Sequence, residues 1–411
     1  MTLLDRPLAR KPARRAETDT GSGSDIAVLS LEEAASRSRA WQDLADRAIE
    51  PNPFYRPEFL VPFAGYLQAP DLRVLFIGPQ DRPTGLIPLN RTRIGFGFSG
   101  SHEAGLYHSY GPVGTPLIAR NSVTETLGSL FALAERNGMA GIVFTLDPNG
   151  PIAQTLWEVV RGNDLKPIPL GQFRRASLDA TQTHQTYRST GPTRKKRKEM
   201  RRLLRRLEDH GTVGFHAHTT CASIAPALER FIDLEKLGWK GRRETALGST
   251  SARLAATLES IGTLARTGRV RIDEISAGSR TAASMISLID GDRLFTWKIA
   301  YAEDLARYSP GSQIMLALTT DVLDDPAIRF ADSLAGENHP MIDHLWRQRL
   351  TVARTFFPLR PLPELTTAML RADHRIYDRV RRTAKNWRAF ATARTRILFG
   401  PKHRDAVDGS S

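Results

Sequence analysis

Two stretches of the chain, residues 26–178 and 212–356, read as the same succession of strands and helices, and this constrains the fold most tightly. In the first, Ile26–Leu29 reads as a strand. Ser30 with Glu33 three residues on is a capping-box pattern, which starts a helix expected to reach Ile49. A helix over Pro57–Tyr66, strands at Leu72–Gly78 and Thr84–Leu89 and a glycine-rich turn at Gly95–Gly100 follow. Val123–Asn137 and Pro151–Val160 read as helices, Ile142–Leu146 and Gln172–Leu178 as strands. The second stretch runs from strand Thr212–Ala217 through helices Ile224–Leu237 and Ser251–Thr267 to strands Arg269–Ile275 and Thr281–Ile289. Asp290-Gly291-Asp292 is a hairpin signal into Leu294–Ala300. A helix from Pro310 to Leu323, a strand at Ile328–Phe330, a helix at Met341–Arg347 and a strand at Leu350–Phe356 complete it. The second stretch reads β-α-α-β-β-β-α-β-α-β, and the first follows the same order with the glycine-rich turn and the segment to Tyr110 standing where the third central strand would be. The expectation is an α/β chain of two similar units with mixed sheets, at 26–180 and 190–360. It rests on element order alone, since the two stretches share no visible sequence repeat.

Between them lies a basic run, with ten Lys or Arg residues from Arg188 to Arg206. Met200, Leu203, Leu204 and Leu207 recur at i, i+3, i+4 and i+7, which predicts a helix over 194–208 that docks one apolar face. The opposite face is almost entirely cationic, a surface suited to an anionic partner. The net charge of +14 is concentrated in this run, in residues 1–15 and in residues 371–404, which carry eleven basic and two acidic side chains. The remaining body is mildly acidic, so the pattern favours local electrostatic docking over a surface that tracks nucleic acid throughout. Residues 1–25 read as a disordered basic tail and 361–411 as a basic helix followed by disorder. One cysteine, Cys221, excludes an internal disulfide or a cysteine zinc cluster. No window approaches the ~18 apolar residues that a membrane span needs, and the N-terminus has no secretory pattern. A cytoplasmic protein is expected, with any membrane contact peripheral, at the inner membrane.

The order β-α-α-β-β-β-α-β is that of the GNAT acyltransferase fold. Several segments together resemble the CelD/BcsL-like acetyltransferases, a GNAT branch associated with bacterial cellulose and exopolysaccharide gene sets. They are the basic run Arg194–Arg206, Leu234-Glu235-Lys236-Leu237-Gly238-Trp239-Lys240-Gly241, Tyr308-Ser309-Pro310-Gly311-Ser312, and His339-Pro340-Met341-Ile342-Asp343-His344-Leu345-Trp346. The layout is also similar to that of FemAB-type aminoacyltransferases. The resemblance implies tandem GNAT-like domains, acetyl-CoA or another acyl-CoA as co-substrate, and no metal. It places the pyrophosphate at the helix start Ser309, Gly311, Ser312 and Gln313, where free N–H groups and the helix dipole favour an anion. One departure stands out: Pro310 and Ser312 occupy positions where the GNAT loop pattern has glycine or alanine.

Acyl transfer needs a base for the acceptor's proton, a donor for the leaving group and polarisation of the acyl carbonyl. Glu235 is the candidate base, with Trp239 and Lys240 as candidate acceptor-binding residues beside it. Tyr301, at the end of a predicted strand, is the candidate proton donor to the leaving group. His339 and Asp343, four apart at a loop-to-helix transition, are candidates for substrate binding and for catalysis, with helix capping as the plainer reading. Gly95–Gly100 and Gly111–Gly114 could line an acceptor cleft, although turns explain both. The expected activity is transfer of an acetyl or acyl group to an amine or hydroxyl of a sugar or glycan precursor. The basic helix 194–206 and the basic C-terminal tail would meet a membrane surface or a phosphorylated substrate. The alternatives are a FemAB-like enzyme using aminoacyl-tRNA, whose phosphates would meet that helix, and a non-catalytic GNAT scaffold.

Overall fold

The computed structural model describes residues 26–67 and 71–398. The tail expected at 1–25 lies outside the described residues. In chain order the strands are β1 (Ile26–Ser30), β2 (Arg73–Ile77), β3 (Gly85–Arg93), β4 (Ser101–Gly105), β5 (Leu117–Ile118), β6 (Gly141–Leu146) and β7 (Ile168–Asp179). They continue as β8 (Val213–His218), β9 (Val270–Ala277), β10 (Arg280–Asp290), β11 (Arg293–Tyr301), β12 (Phe330–Asp332) and β13 (Gln348–Pro358). The helices are α1 (Leu31–Ala35), α2 (Ser38–Asp46), α3 (Pro57–Leu67), α4 (Val123–Asn137), α5 (Pro151–Gly162) and α6 (His184–Thr190). After them come α7 (Arg194–Leu207), α8 (Cys221–Leu237), α9 (Trp239–Arg242), α10 (Ser251–Arg266), α11 (Pro310–Asp324) and α12 (Glu364–Leu398).

All thirteen strands join one mixed sheet, in the order β1-β2-β3-β4-β6-β13-β7-β12-β11-β10-β9-β8, with β5 added on β3. The sheet is symmetric in sense about the central β13–β7 pair. Outward from β13 the pairings with β6, β4, β3, β2 and β1 are antiparallel, parallel, then antiparallel three times. Outward from β7 the pairings with β12, β11, β10, β9 and β8 repeat that series. The two halves have exchanged their last strands: β7 extends the second-half sheet and β13 the first-half sheet. At the β6–β13 contact only glycine fits, since a Cβ on Gly141 would lie 2.4 Å from Phe357 O.

Two of the expected helices are shorter than their patterns predict. The helix from Ser30 has its capping box, with Glu33 N–H donating to Ser30 Oγ and Ser30 N–H to Glu33 Oε2. It stops at Ala35, where the Ser36 hydroxyl donates back to Glu33 O at 2.7 Å, and the chain restarts at Ser38. Met341–Arg347 has helical spacing in Ile342, Leu345 and Trp346, yet makes only a 3-10 turn at Ile342–His344. All three side chains are buried, and the chain must be extended again by Gln348 to enter the sheet, so one turn is all that fits. Strand β4 and helix α6 escaped the sequence reading, because Ser101-His-Glu-Ala-Gly105 and His184-Gln-Thr-Tyr-Arg-Ser-Thr190 carry neither period.

Packing joins the halves as firmly as the sheet does. On one face of the second half, α8 and α10 cover Ile272, Ile286 and Phe295, and Phe54, Phe59 and Phe63 from the first half enter the same core. On the other face α11 and α7 cover Met285, Leu294 and Ala331. Buried Arg56 bridges the halves, donating to Asp290 Oδ1 at 3.0 Å and to Asp46 Oδ1 at 2.8 Å. Arg269 meets the same two carboxylates at 3.0 and 2.6 Å.

The basic helix docks as its spacing predicts: Met200, Leu203 and Leu207 are buried, Leu204 is half-buried against the same core, and Arg201, Arg202, Arg205 and Arg206 face solvent. Thr193 caps it by accepting from Lys196 N–H. Leu203→Asp should therefore cost several kcal/mol, on the order of a buried unpaired carboxylate. Arg201→Glu combined with Arg205→Glu should leave the melting temperature near the parent's, and equal thermal losses in both variants would contradict this docking.

Candidate active site

β11 and β12 pair for only three residues, Arg293–Phe295 against Phe330–Asp332. Beyond Phe295 the two strands part, and residues 296–301 of β11 have no partner on β12. A β-bulge sits at the mouth of this opening. Ile286 pairs with Lys298 and Ser287 with Thr296, so Trp297 is the extra residue. The bulge reverses the facing of the strand. Before it, Leu294 joins the α11-side core and Phe295 the α8-side core; after it, Ile299 lies on the α11 side and Ala300 on the α8 side. Trp297 and Lys298 therefore both face α8 and α10.

Around Lys298 the two halves assemble a cationic and aromatic cluster. Its ammonium lies 4.6 Å from the centre of the Tyr110 ring and 5.4 Å from Trp297. The indole N–H of Trp297 donates to Tyr110 O at 2.7 Å, which fixes the loop after β4 against β11. Arg253, on α10, reaches the Tyr66 hydroxyl at 2.9 Å and lies over the Tyr66 and Tyr110 rings at 5.1 and 5.7 Å. Neither Lys298 nor Arg253 has a carboxylate partner among the described residues. Burial pushes the Lys298 ammonium down to about 8, with Lys240 and Arg253 adding to the shift and Glu235 opposing it. His108 is pushed down to about 4 by burial and by Lys298, so its imidazole is neutral near pH 7. The cluster is thus a partly desolvated site with uncompensated positive charge.

Of the residues singled out in the sequence, Glu235 and Lys240 lie in this cluster. Glu235 is buried, with Oε1 accepting from Lys240 Nζ at 2.8 Å and Oε2 from Leu247 N–H at 2.6 Å. Both oxygens are engaged, so Glu235 is held as an anchor for Lys240 and for the loop after α9. Lys240 Nζ also donates to Ile299 O at 2.7 Å. Trp239 stands at the surface with Arg243 stacked at 5.2 Å, and its N–H donates to Glu303. Tyr301 lies on the opposite, α11 side, half-buried against that core. His339 acts as a cap, its Nδ1 accepting from Met341 and Ile342 N–H at 3.4 and 3.5 Å. Asp343 pairs with Arg349 at 3.3 Å through Oδ2, while its buried Oδ1 has no hydrogen-bond partner. Lys298, Arg253, Tyr66 and Tyr110 went unnoticed in the sequence, because the bulge that turns Lys298 and the interface that gathers the others are tertiary features.

The start of α11 differs from the anion site expected there. Ser309 is left-handed, with φ 54°, and its side chain makes no cap. The Ser312 and Gln313 N–H groups both donate to Ser309 O, at 2.9 and 3.1 Å, and Pro310 has no N–H. The side chain of Gln313 is turned into the protein and donates to Met200 O on α7 at 2.8 Å. A Cβ on Gly311 would meet Met341 Sδ at 3.1 Å and Ile299 Cδ1 at 3.4 Å. Pro310–Gln313 are all buried. In this arrangement the helix start fits a CoA pyrophosphate poorly: one residue lacks a donor, two N–H groups are engaged, and Met341 Sδ lies beside Gly311.

Residues 194–339 match the family model Acetyltransf_6, described as an acetyltransferase (GNAT) domain. Over these residues the second half is similar to a GNAT domain. Among solved structures, the C-terminal domain of a putative lysylphosphatidylglycerol synthetase from Agrobacterium fabrum is similar, with a TM-score of 0.50 and 12% identity over 84% of this chain and 96% of that one. FemX is similar with a TM-score of 0.51 and 8% identity, over 78% of this chain and 96% of that one. At such identities the likeness speaks for the fold, the tandem GNAT arrangement expected from element order. No curated protein matches the chain.

Two consequences are measurable. Gly311→Val should destabilise the protein by about 1–3 kcal/mol through crowding against Met341, read by denaturant unfolding. Lys298 titrates near 8 when folded and at 10.5 ordinarily, so between these values the unfolded chain binds more protons and stability should rise with pH. Lys298→Met should remove that rise, and identical slopes of melting temperature against pH in both proteins would refute the desolvated ammonium.

Proposed function

We propose that the protein is an acyltransferase whose acceptor sits in the Lys298 cluster and whose acyl donor approaches from the α7–α11 side. The observation that carries this reading is the opening between β11 and β12, with the cationic and aromatic cluster on one face and the basic helix beside the start of α11 on the other. The acceptor amine or hydroxyl attacks the acyl carbonyl, a C–N or C–O bond forms and the bond to the carrier breaks. Lys298, part of which is neutral at pH 7, takes the acceptor's proton. Arg253 and Lys240 hold an anionic group on the acceptor, and Tyr66, Tyr110 and Trp297 offer ring faces to a sugar or other flat apolar surface. A sugar or glycan precursor carrying phosphate, in cellulose or exopolysaccharide formation, fits this chemistry and the family resemblance.

The resemblance points to acyl-CoA as the donor. A specific observation favours aminoacyl-tRNA instead: the start of α11 fits a pyrophosphate poorly, yet it packs directly on α7, whose outer face is cationic. The phosphodiester backbone of a tRNA meets that face without entering the helix start.

Transfer of labelled acyl groups from acetyl-CoA and from aminoacyl-tRNA, to neutral hexosamines and to sugar nucleotides, separates these readings. Transfer to the phosphorylated acceptors is expected, with kcat about 10²-fold lower or less in Lys298→Met and donor binding unchanged. The rate should also lose its rise toward pH 8 in that variant. Parent-like kcat in Lys298→Met would remove Lys298 from the mechanism, and transfer with neither donor would leave a scaffold.

A further inference from the structure

A second surface, outside the acyltransfer site, is built from the glycine-rich turn and the C-terminal helix. Phe96 and Phe98 stand in solvent, 44% and 67% exposed, with ring centres 5.8 Å apart. The backbone of the loop that carries them is held by α12. Asp373, buried on α12, accepts from the N–H groups of Phe96, Gly97 and Phe98 at 2.6, 3.0 and 2.9 Å. The turn that wraps this carboxylate takes φ of 62° at Gly95 and 88° at Gly97, and a Cβ on Gly95 would lie 2.4 Å from Asp373 Oδ1. Tyr377, one turn further along α12, packs edge-on against Phe96 at 5.3 Å.

The helix continues the apolar surface. Leu365, Met369, Ile376 and Val380 are exposed on α12, at spacings of four, seven and four that keep them on one stripe. Cations flank the whole patch. Arg91 and Arg93 precede the loop on β3, and Arg371, Arg375 and Arg379 are exposed on the helix. The sequence adds eight further basic residues and no acidic one across 381–404.

We propose that the Phe96–Phe98 loop and the exposed stripe of α12 dock on an anionic lipid bilayer. Apolar side chains held outward and rimmed by arginine match an interface that is apolar below its headgroups and negative at them. A second copy of the chain is a poorer occupant, because a two-fold seam here would set one arginine rim against another. The contact is peripheral, since no helix among the described residues is long and apolar enough to cross a membrane. This surface shares no residue with the Lys298 cluster, so it stands or falls apart from the acyltransfer reading.

The test is sedimentation of the full chain with vesicles of phosphatidylcholine alone and of phosphatidylcholine mixed with phosphatidylglycerol. Binding is expected to the mixed vesicles and to fall with added salt. Phe96→Ser with Phe98→Ser should weaken it by about tenfold or more, since two buried rings are lost from the interface, without shifting the melting temperature. Arg371→Glu with Arg375→Glu should weaken binding to the mixed vesicles specifically. Absence of binding, equal binding to both vesicle types, or parent-like binding by the phenylalanine variant would overturn the proposal. So would sedimentation velocity showing a dimer that the phenylalanine variant dissolves while vesicles stay unbound, because the face would then be an interface between copies.

Discussion

The pairing of β7 with β13 is the contact on which the rest of the molecule depends. It is long, running from Ile168–Ser177 against Gln348–Phe356, and it joins the two exchanged strands to each other. Without it the sheet would divide into β1-β2-β3-β4-β6-β13 and β7-β12-β11-β10-β9-β8. Each of these would hold a strand from the other half of the chain, β13 in the first and β7 in the second. The exchange fixes the relative position of the halves through main-chain hydrogen bonds, which tolerate less sliding than a side-chain interface does.

That fixed position is what makes the Lys298 cluster possible. Tyr66 and Tyr110 come from the first half, Arg253, Trp297 and Lys298 from the second. Their mutual distances are set by the indole bond from Trp297 to Tyr110 O, by the Arg253–Tyr66 bond and by the aromatic core around Phe59 and Phe63, which stack at 4.5 Å. Buried Arg56 and Asp290 add a charged tie close to the same seam. Breaking one partner of such a pair leaves an uncompensated buried charge, so the tie resists any shear of the halves.

Much of the fold was legible because its elements carry strong periods. The basic helix 194–207, the hairpin at Asp290-Gly291-Asp292 and the helix from Pro310 follow from spacing, turn chemistry and proline placement respectively. The strand exchange was not legible, since nothing in Leu350–Phe356 names its partner; register belongs to the assembled sheet. The site was legible only in part. Glu235 and Lys240 were singled out by a local motif and do meet, but their bond to each other is visible only in three dimensions. Lys298 sits in a strand that alternation alone would give the opposite facing, and a one-residue bulge reverses it. The start of α11 carries proline and glycine suited to an anion site, and only the tertiary structure shows Gln313 turned to Met200 O and Met341 packed beside Gly311.

The strand exchange also has a consequence for how the chain is made. Synthesis runs from the N-terminus, so β6 and β7 emerge long before β13 exists. Throughout that interval β6, whose six residues are all buried in the finished protein, presents an open hydrogen-bonding edge to its surroundings. The nascent first half therefore carries an edge open to non-native pairing until Gln348–Pro358 has left the ribosome. For the same reason, premature termination anywhere before this strand releases an aggregation-prone fragment, however well its own helices and strands have formed.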